Sequence, residues 1–328
     1  MRKYIIKRIL ISILILFLVA LVVYILMRCL PTSYIEAIAR QKSMQPNSKS
    51  FEEWMAQLSA TYGMDKGIIP GFIAWLGKAL TGQFGDSWYY TIPVLEEFSK
   101  VIGISFIMGA ITLVLEVVIA IPLGILCATK QYSKTDYVVS VISLVGYSLP
   151  TFFFASLLKL VFSVKLEWFD LFGLIGRNYE HLSGWGQFLD KAHHLVLPIV
   201  TLVVISFGSL VRYTRTNMLE VLNADYIRTA RAKGLDEHKV VYKHAFRNTL
   251  IPLVTIISGS LPGLFSGALI TETLYSIPGI GYASYHAMIA GDIPFSMFYL
   301  CFLAVLTLIG NLLGDILYAV VDPRVRLA

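Results

Sequence analysis

The chain has 328 residues, of which 56% are apolar and only 15% charged, where a soluble domain carries about a quarter charged residues. This balance, with a mean hydropathy of +0.70, excludes a water-soluble globular protein and points to a chain that crosses a membrane several times. The net charge of +6 does not call for nucleic acid: basic residues gather at the cytoplasmic ends of spans, and no soluble basic face interleaved with aromatics is present.

A span needs about 20 apolar residues to cross roughly 30 Å of hydrocarbon. Six stretches meet that length, at 9–29, 101–129, 137–164, 196–221, 250–274 and 296–321, which predicts an all-α polytopic membrane protein with six transmembrane helices. The opening MRKYIIKRIL has the basic start of a leader. The apolar run Ile9 to Met27 is too long for one, and no small-residue cleavage site follows, so a retained first span is expected. Cys29, Cys127 and Cys301 lie far apart in or beside apolar runs. They read as small buried hydrophobes rather than a disulfide or zinc framework.

A long segment, 31–100, follows the first span. It mixes acids with Trp54, Trp75, Trp88, Tyr89 and Tyr90. A loop of this length without structure of its own is unusual, so short helices are expected, resting on the membrane surface through Trp75 and Trp88. The segment 165–195 carries His181, His193 and His194. Neighbouring histidines on a helix point in different directions, so no metal ligand is expected there.

Polar groups inside spans are expensive, about 3 kcal/mol for a charge at the bilayer centre even on a lenient scale. Glu116 sits among Leu115, Val117, Val118 and Ile119. It is expected either to line a translocation path or to bond a neighbouring helix. Glu272 precedes Ser276-Ile277-Pro278-Gly279-Ile280-Gly281, where Pro278 and Gly279 read as a tight turn that could gate a path or cap a helix. Lys159 is expected to snorkel, while Asn311, Asp315 and the Asp322-Pro323-Arg324 end read as structural.

The charged stretch DYIRTARAKGLDEHKVVYKHAFRNTLIP, from Asp225 to Pro252, interrupts this apolar chain. Gly234 suits the left-handed position that ends a helix, and Asp236 stands where a cap belongs. Two short helices are therefore predicted, the second ending near Arg247. On it Lys239, Lys243 and Arg247 form a basic stripe beside an apolar row of Val241 and Ala245. Such a stripe could face anionic lipid or a soluble partner. With the N-terminus inside, 16 of the 27 lysines and arginines fall in short inner loops and tails, so both termini are expected to be cytoplasmic.

Several motifs in the same order carry a resemblance to a known family. The string D-Y-I-R-T-A-R-A-K-G-L followed by H-A-F-R-N-T-L-I-P, together with W-L-G-K-A-L-T-G-Q-F-G-D-S (75–87), I-P-L-G (121–124), S-L-P-T-F (148–152), E-T-L-Y-S-I-P-G-I-G (272–281) and G-N-L-L-G-D-I-L-Y-A-V-V-D-P-R-V-R (310–326), resembles the permease subunits of ATP-binding-cassette importers, in their peptide and nickel branch. Of the general E-A-A-x-x-x-G motif only Ala230 and Gly234 are kept, and Arg28-Cys29-Leu30-Pro31-Thr32-Ser33 replaces the usual P-G-D-P after the first span.

The resemblance implies a type I importer fold of the MetI-like kind: a tail and first helix (1–30), an extracytoplasmic loop (31–100), a five-helix core (101–321) and a cytoplasmic tail (322–328). It implies that the coupling loop 223–248 seats against a cytoplasmic ATPase through Ala230, Arg231, Ala232, Lys233, Gly234, Leu235, Asp236 and Lys239. A second homologous permease, two ATPases, an extracytoplasmic solute-binding protein and the lipid bilayer are the implied partners. The implied cargo is a dipeptide, oligopeptide or related solute, moved across a prokaryotic cytoplasmic membrane by alternating access. No G-x-x-x-x-G-K-[ST] occurs, so ATP and magnesium are expected on the partners and no cofactor on this chain. No nucleophile elbow or zinc-protease helix is present, so no catalytic residue is expected. A gradient-driven carrier using Glu116 is the rival reading; such carriers often show paired repeats, which are not evident here.

Overall fold

The computed structural model describes residues 2–29, 33–45, 48–61, 65–260 and 262–321. Leu30-Pro31-Thr32 and the Asp322-Pro323-Arg324 end lie outside them. Among the described residues the regular structure is helical, with one isolated bridge between Asp86 and Pro93. The chain forms two units, residues 2–103 with 283–308, and 104–282 with 309–321.

In the first unit, α1 (Arg2–Cys29) is followed by α2 (Ser33–Ser43), α3 (Phe51–Thr61) and α4 (Ile68–Leu80), the short helices expected of the 31–100 segment. Ser50 and Glu53 start α3 reciprocally: the Ser50 amide donates to the Glu53 carboxylate at 2.9 Å and the Glu53 amide to Ser50 Oγ at 3.3 Å, a capping box. The Ser50 donors hold the Glu53 carboxyl below its usual value. Leu10, Ile13, Leu14 and Val22 of α1 are exposed, an apolar surface suited to lipid. Its other side buries Ala20, Tyr24 and Met27 with Phe72, Trp88, Ile293 and Met297. Trp88 is thus a core residue and not a surface anchor, because Ile293 and Met297, far along the sequence, close over it. Cys127 is buried, Cys301 half-buried and Cys29 exposed, so Cys29 departs from the expectation of a buried thiol.

The long helix α5 (Val94–Thr129) leads into the second unit. There α6 (Lys134–Ser148) and α7 (Thr151–Leu158), which continues through a π segment Lys159–Lys165, meet at a bend of 104°. The break falls at Leu149-Pro150, since a residue before proline is driven out of the helical region. Next come α8 (Gly184–Leu222), α9 (Asp225–Ala232), α10 (Glu237–Lys239) and α11 (Phe246–Ser260). Then α12 (Gly263–Ser266), α13 (Leu269–Tyr275), α14 (Ile280–Ile289) and α15 (Ile293–Val321) complete the order. Among the described residues four helices are long and apolar enough to cross a bilayer, and up to six spans result where each bent pair is taken as one. The fifth stretch is not one straight span over 250–274. Its helix stops at Ser260, and after Gly267 (φ 73°) α13 begins afresh.

Helix α6 lies close against α8 because Gly208 offers no side chain: a Cβ there would stand 2.3 Å from the Ser143 carbonyl oxygen. Small residues permit such approach where no hydrophobic force drives helices together in lipid. Two turns further along α8, Arg215 grips Asp136 with both arms, Nε to Oδ1 at 2.7 Å and Nη2 to Oδ2 at 2.8 Å. The Tyr132 amide adds a third donor to that carboxylate at 2.9 Å. Lys159 does not reach outward but donates to the Leu274 carbonyl at 2.6 Å, closing the end of α13.

Candidate coupling loop and path residues

Helix α9 is amphipathic, and its inner face is set by Ile227 and Ala230. These pack with Met218 and Leu222 of α8, Ile125 and Ala128 of α5, and Val240, Val241 and Ala245 further on. The turn after it is a Schellman cap: the Gly234 amide donates to the Arg231 carbonyl at 2.9 Å and the Leu235 amide to the Ala230 carbonyl at 3.4 Å. Gly234 takes φ 76°, with open space where a Cβ would stand. Asp236 then caps the next helix, accepting from the His238 amide at 3.0 Å. Arg231 spans the turn and clasps Glu237, Nη2 to Oε1 at 2.7 Å and Nε to Oε2 at 3.1 Å. That carboxylate holds the Arg231 guanidinium above its ordinary value.

The loop therefore presents one apolar, anchored side and one open side. Arg231, Ala232, Lys233, Gly234, Leu235, Asp236 and Lys239 are all exposed, while Ala230 belongs to the buried base. The stripe Lys239, Lys243, Arg247 is exposed and the row Val241, Ala245 buried, as their spacing requires. The second helix, however, does not end near Arg247. It passes through a π segment, Val240–Ala245, into α11 and bends by 53° between Leu250 and Pro252 before running on to Ser260. A π segment inserted in an α-helix often marks a functional position, and here it re-phases the helix between the loop and the membrane.

Glu272 is fully buried and three donors converge on its carboxylate. Ser105 Oγ reaches Oε1 at 2.8 Å, the Ala268 amide Oε1 at 3.0 Å and the Tyr282 amide Oε2 at 3.0 Å. Ser105 Oγ in turn accepts from the Ile280 amide at 2.8 Å. The Pro278-Gly279 turn folds over this centre so tightly that a Cβ on Gly279 would lie 2.4 Å from both Glu272 Oε2 and Ser105 Oγ. The structure thus joins Glu272 and Gly279 in one clasp, with α5 as its third wall. Sequence reading missed Ser105, whose only signal was a hydroxyl inside an apolar helix.

Glu116 is half-buried on α5 and lines a pocket of about 240 Å³ with Ser105, Thr112, Ser206, Ser260 and Leu264 among others. Ser105 belongs to both pocket and clasp, so the two glutamates share a neighbour without forming one site. Outside the spans, Asp292 is another residue the sequence did not single out. Its carboxylate accepts from the Ser87 hydroxyl, from the Tyr89 amide at 3.1 Å and from the Phe295 amide at 3.1 Å. An acid just before Ile293-Pro294 carries the mark of a helix cap.

Residues 120–327 match the profile of the binding-protein-dependent transport system inner membrane component family. This chain belongs to that family. Among its relatives, the oligopeptide transport system permease protein AppB of Bacillus subtilis is 36% identical over 99% of this chain and 100% of its own length. The dipeptide transport system permease protein DppB of Escherichia coli K12 is 32% identical over 94% of both chains. Among solved structures, an inward-facing form of the MetNI methionine ABC transporter aligns with a TM-score of 0.54 at 18% identity, over 70% of this chain and 97% of that one. The permease fold expected from the motifs is therefore the fold found, in a membrane transport component rather than an enzyme. The matched profile takes in the 223–248 loop and Glu272. Glu116 and the 31–100 segment of this permease precede it, within the full-length alignments.

Proposed function

We propose that this permease is the membrane-spanning subunit of an ATP-driven peptide importer, and that its 223–248 loop is the surface on which a cytoplasmic ATPase seats. The observation that carries this reading is the two-sided loop. An apolar base ties α9 to α5 and α8, while a rigidly capped turn leaves Arg231 to Asp236 and Lys239 open to a partner. A loop meant only for lipid contact has no need of a Schellman turn clamped by Arg231 and Glu237. In this reading the ATPases hold ATP and magnesium, a second permease chain completes the path, and an extracytoplasmic protein delivers the solute. ATP-driven closure moves the loop and the spans alternate in access. Peptide as cargo follows the names of the relatives, and both termini lie inside on the distribution of lysine and arginine.

The test is a mild-detergent pull-down of the tagged chain from cells expressing its native neighbours, with ATPase activity assayed in the eluate. Recovery of a nucleotide-binding subunit and a second permease supports the reading. A chain that purifies alone, with uptake abolished by an ionophore while ATP stays high, overturns it in favour of a gradient-driven carrier. Glu116→Gln keeps the shape of the side chain and removes its charge. If Glu116 lines the path, peptide uptake should fall several-fold while ATPase recovery is unchanged; normal uptake would count against that role.

A further inference from the structure

The segment between α7 and α8 gathers Asp170, His193 and His194 so that one ligand atom from each lies within 4.8 Å of the others. Adjacent histidines on a helix point in different directions, yet Asp170, folded back on the helix, brings a carboxylate oxygen near a ring nitrogen of each. His193 stacks on Phe169, the residue before Asp170, with ring centroids 4.5 Å apart. That stacking keeps both rings on the same side of the segment.

His194 is the decisive residue. Its side chain is 2% exposed, and Nδ1 lies 2.8 Å from the Asp190 carbonyl oxygen. A carbonyl only accepts, so Nδ1 carries a proton and donates it. The other nitrogen, Nε2, is buried without a hydrogen bond, and Asp170 Oδ2 stands 3.1 Å from it. A lone pair facing a carboxylate is repelled unless a proton or a metal ion lies between them, and Nε2 is not aligned to make a hydrogen bond. Two ligand atoms held at about 2.0–2.1 Å by a tetrahedral zinc ion stand about 3.3 Å apart, close to the separation found. A metal-binding histidine commonly donates its second N–H to a backbone carbonyl or carboxylate. Here it has the Asp190 carbonyl, with the Asp190 carboxylate 3.8 Å from the same nitrogen and itself fixed by the Gly176 amide at 2.8 Å.

We infer that Asp170, His193 and His194 bind a divalent transition ion of the zinc type, through His194 Nε2, a His193 ring nitrogen and the Asp170 carboxylate. Two imidazoles and one carboxylate suit zinc rather than magnesium or calcium, which take oxygen ligands. The ligand atoms, within 4.8 Å of one another, must draw together to complete three bonds of zinc length, which the exposed position of His193 permits. A fourth position stays open to water or to a carboxylate of another molecule. The ion would pin the 166–182 segment to the first turns of α8.

The experiment is a zinc titration of the purified complex, made with a tag free of histidine, stripped with chelator and followed by calorimetry. One zinc ion per chain is expected, with affinity reduced at least tenfold in Asp170→Asn and again in His193→Ala. Both of these residues are exposed, so neither change should disturb folding, and His194→Gln preserves bulk at the buried position. X-ray absorption on the loaded protein should show two imidazole nitrogens on the metal. Absence of zinc binding, or equal binding by wild type and the Asp170→Asn/His193→Ala double variant, would overturn the site and leave a simple His194–Asp170 ion pair.

Discussion

Gly279→Ala should sharply reduce the amount of folded permease recovered from membranes and lower its thermal midpoint in detergent. The added methyl would stand 2.4 Å from Glu272 Oε2 and Ser105 Oγ, in a carboxylate and a hydroxyl whose side chains are already committed to each other and to three backbone amides. Overpacking of this kind costs about 1–3 kcal/mol, and here it also parts a buried carboxylate from its donors. Glu272→Ala attacks the same centre from the other side. It leaves the Ser105 hydroxyl and the Ala268 and Tyr282 amides without their acceptor, at about 1–3 kcal/mol for each group left unsatisfied. Gly103→Ala serves as the control, because a Cβ there meets nothing within 4 Å and alanine favours helix. A Gly279→Ala protein that melts with the Gly103→Ala control would show that the clasp is not what holds this turn.

The second large effect is expected at Gly234, through a different cause. Nothing surrounds a Cβ built there, so any loss comes from the backbone alone, at φ 76°. A residue with a Cβ in the left-handed region costs roughly 1–2 kcal/mol, with asparagine the best tolerated. Branching at Cβ makes the fit worse. Recovery of the ATPase and peptide uptake should therefore fall in the order Gly234→Asn, Gly234→Ala, Gly234→Val, while membrane insertion is constant throughout. The series separates a conformational requirement from a contact. If Val and Asn behave alike, the left-handed turn is not what the partner reads.

What could be read from the sequence was what local chemistry decides. Hydropathy located the spans, and glycine and aspartate at 234 and 236 announced the end of one helix and the start of the next. The run of that second helix past Arg247 was not legible, because nothing at Arg247 itself decides where it stops, Pro252 bends it by 53° rather than ending it, and the π segment is a matter of packing. Long-range partners were invisible for a plainer reason. Ser105 and Glu272 are 167 residues apart, and each alone looks like an isolated polar residue in an apolar helix. Trp88 read as a surface anchor only because Ile293 and Met297 were unseen. That Asp170 lies beside the histidine pair was equally invisible, since it is more than twenty residues away in the sequence.

Helix α8 runs unbroken through 39 residues, which at 1.5 Å per residue makes a rod of about 58 Å, nearly twice the hydrocarbon thickness of a bilayer. His193 and His194 ride near one end of it, and the base of the coupling loop, Met218 and Leu222, is built into the other. Such a rod can tilt as a lever but has little capacity to shorten. A tilt of 10° about its middle would sweep each end by about 5 Å in opposite directions. In the proposed mechanism, a load applied at the loop end of such a rod is delivered, reversed in sense, to its histidine end.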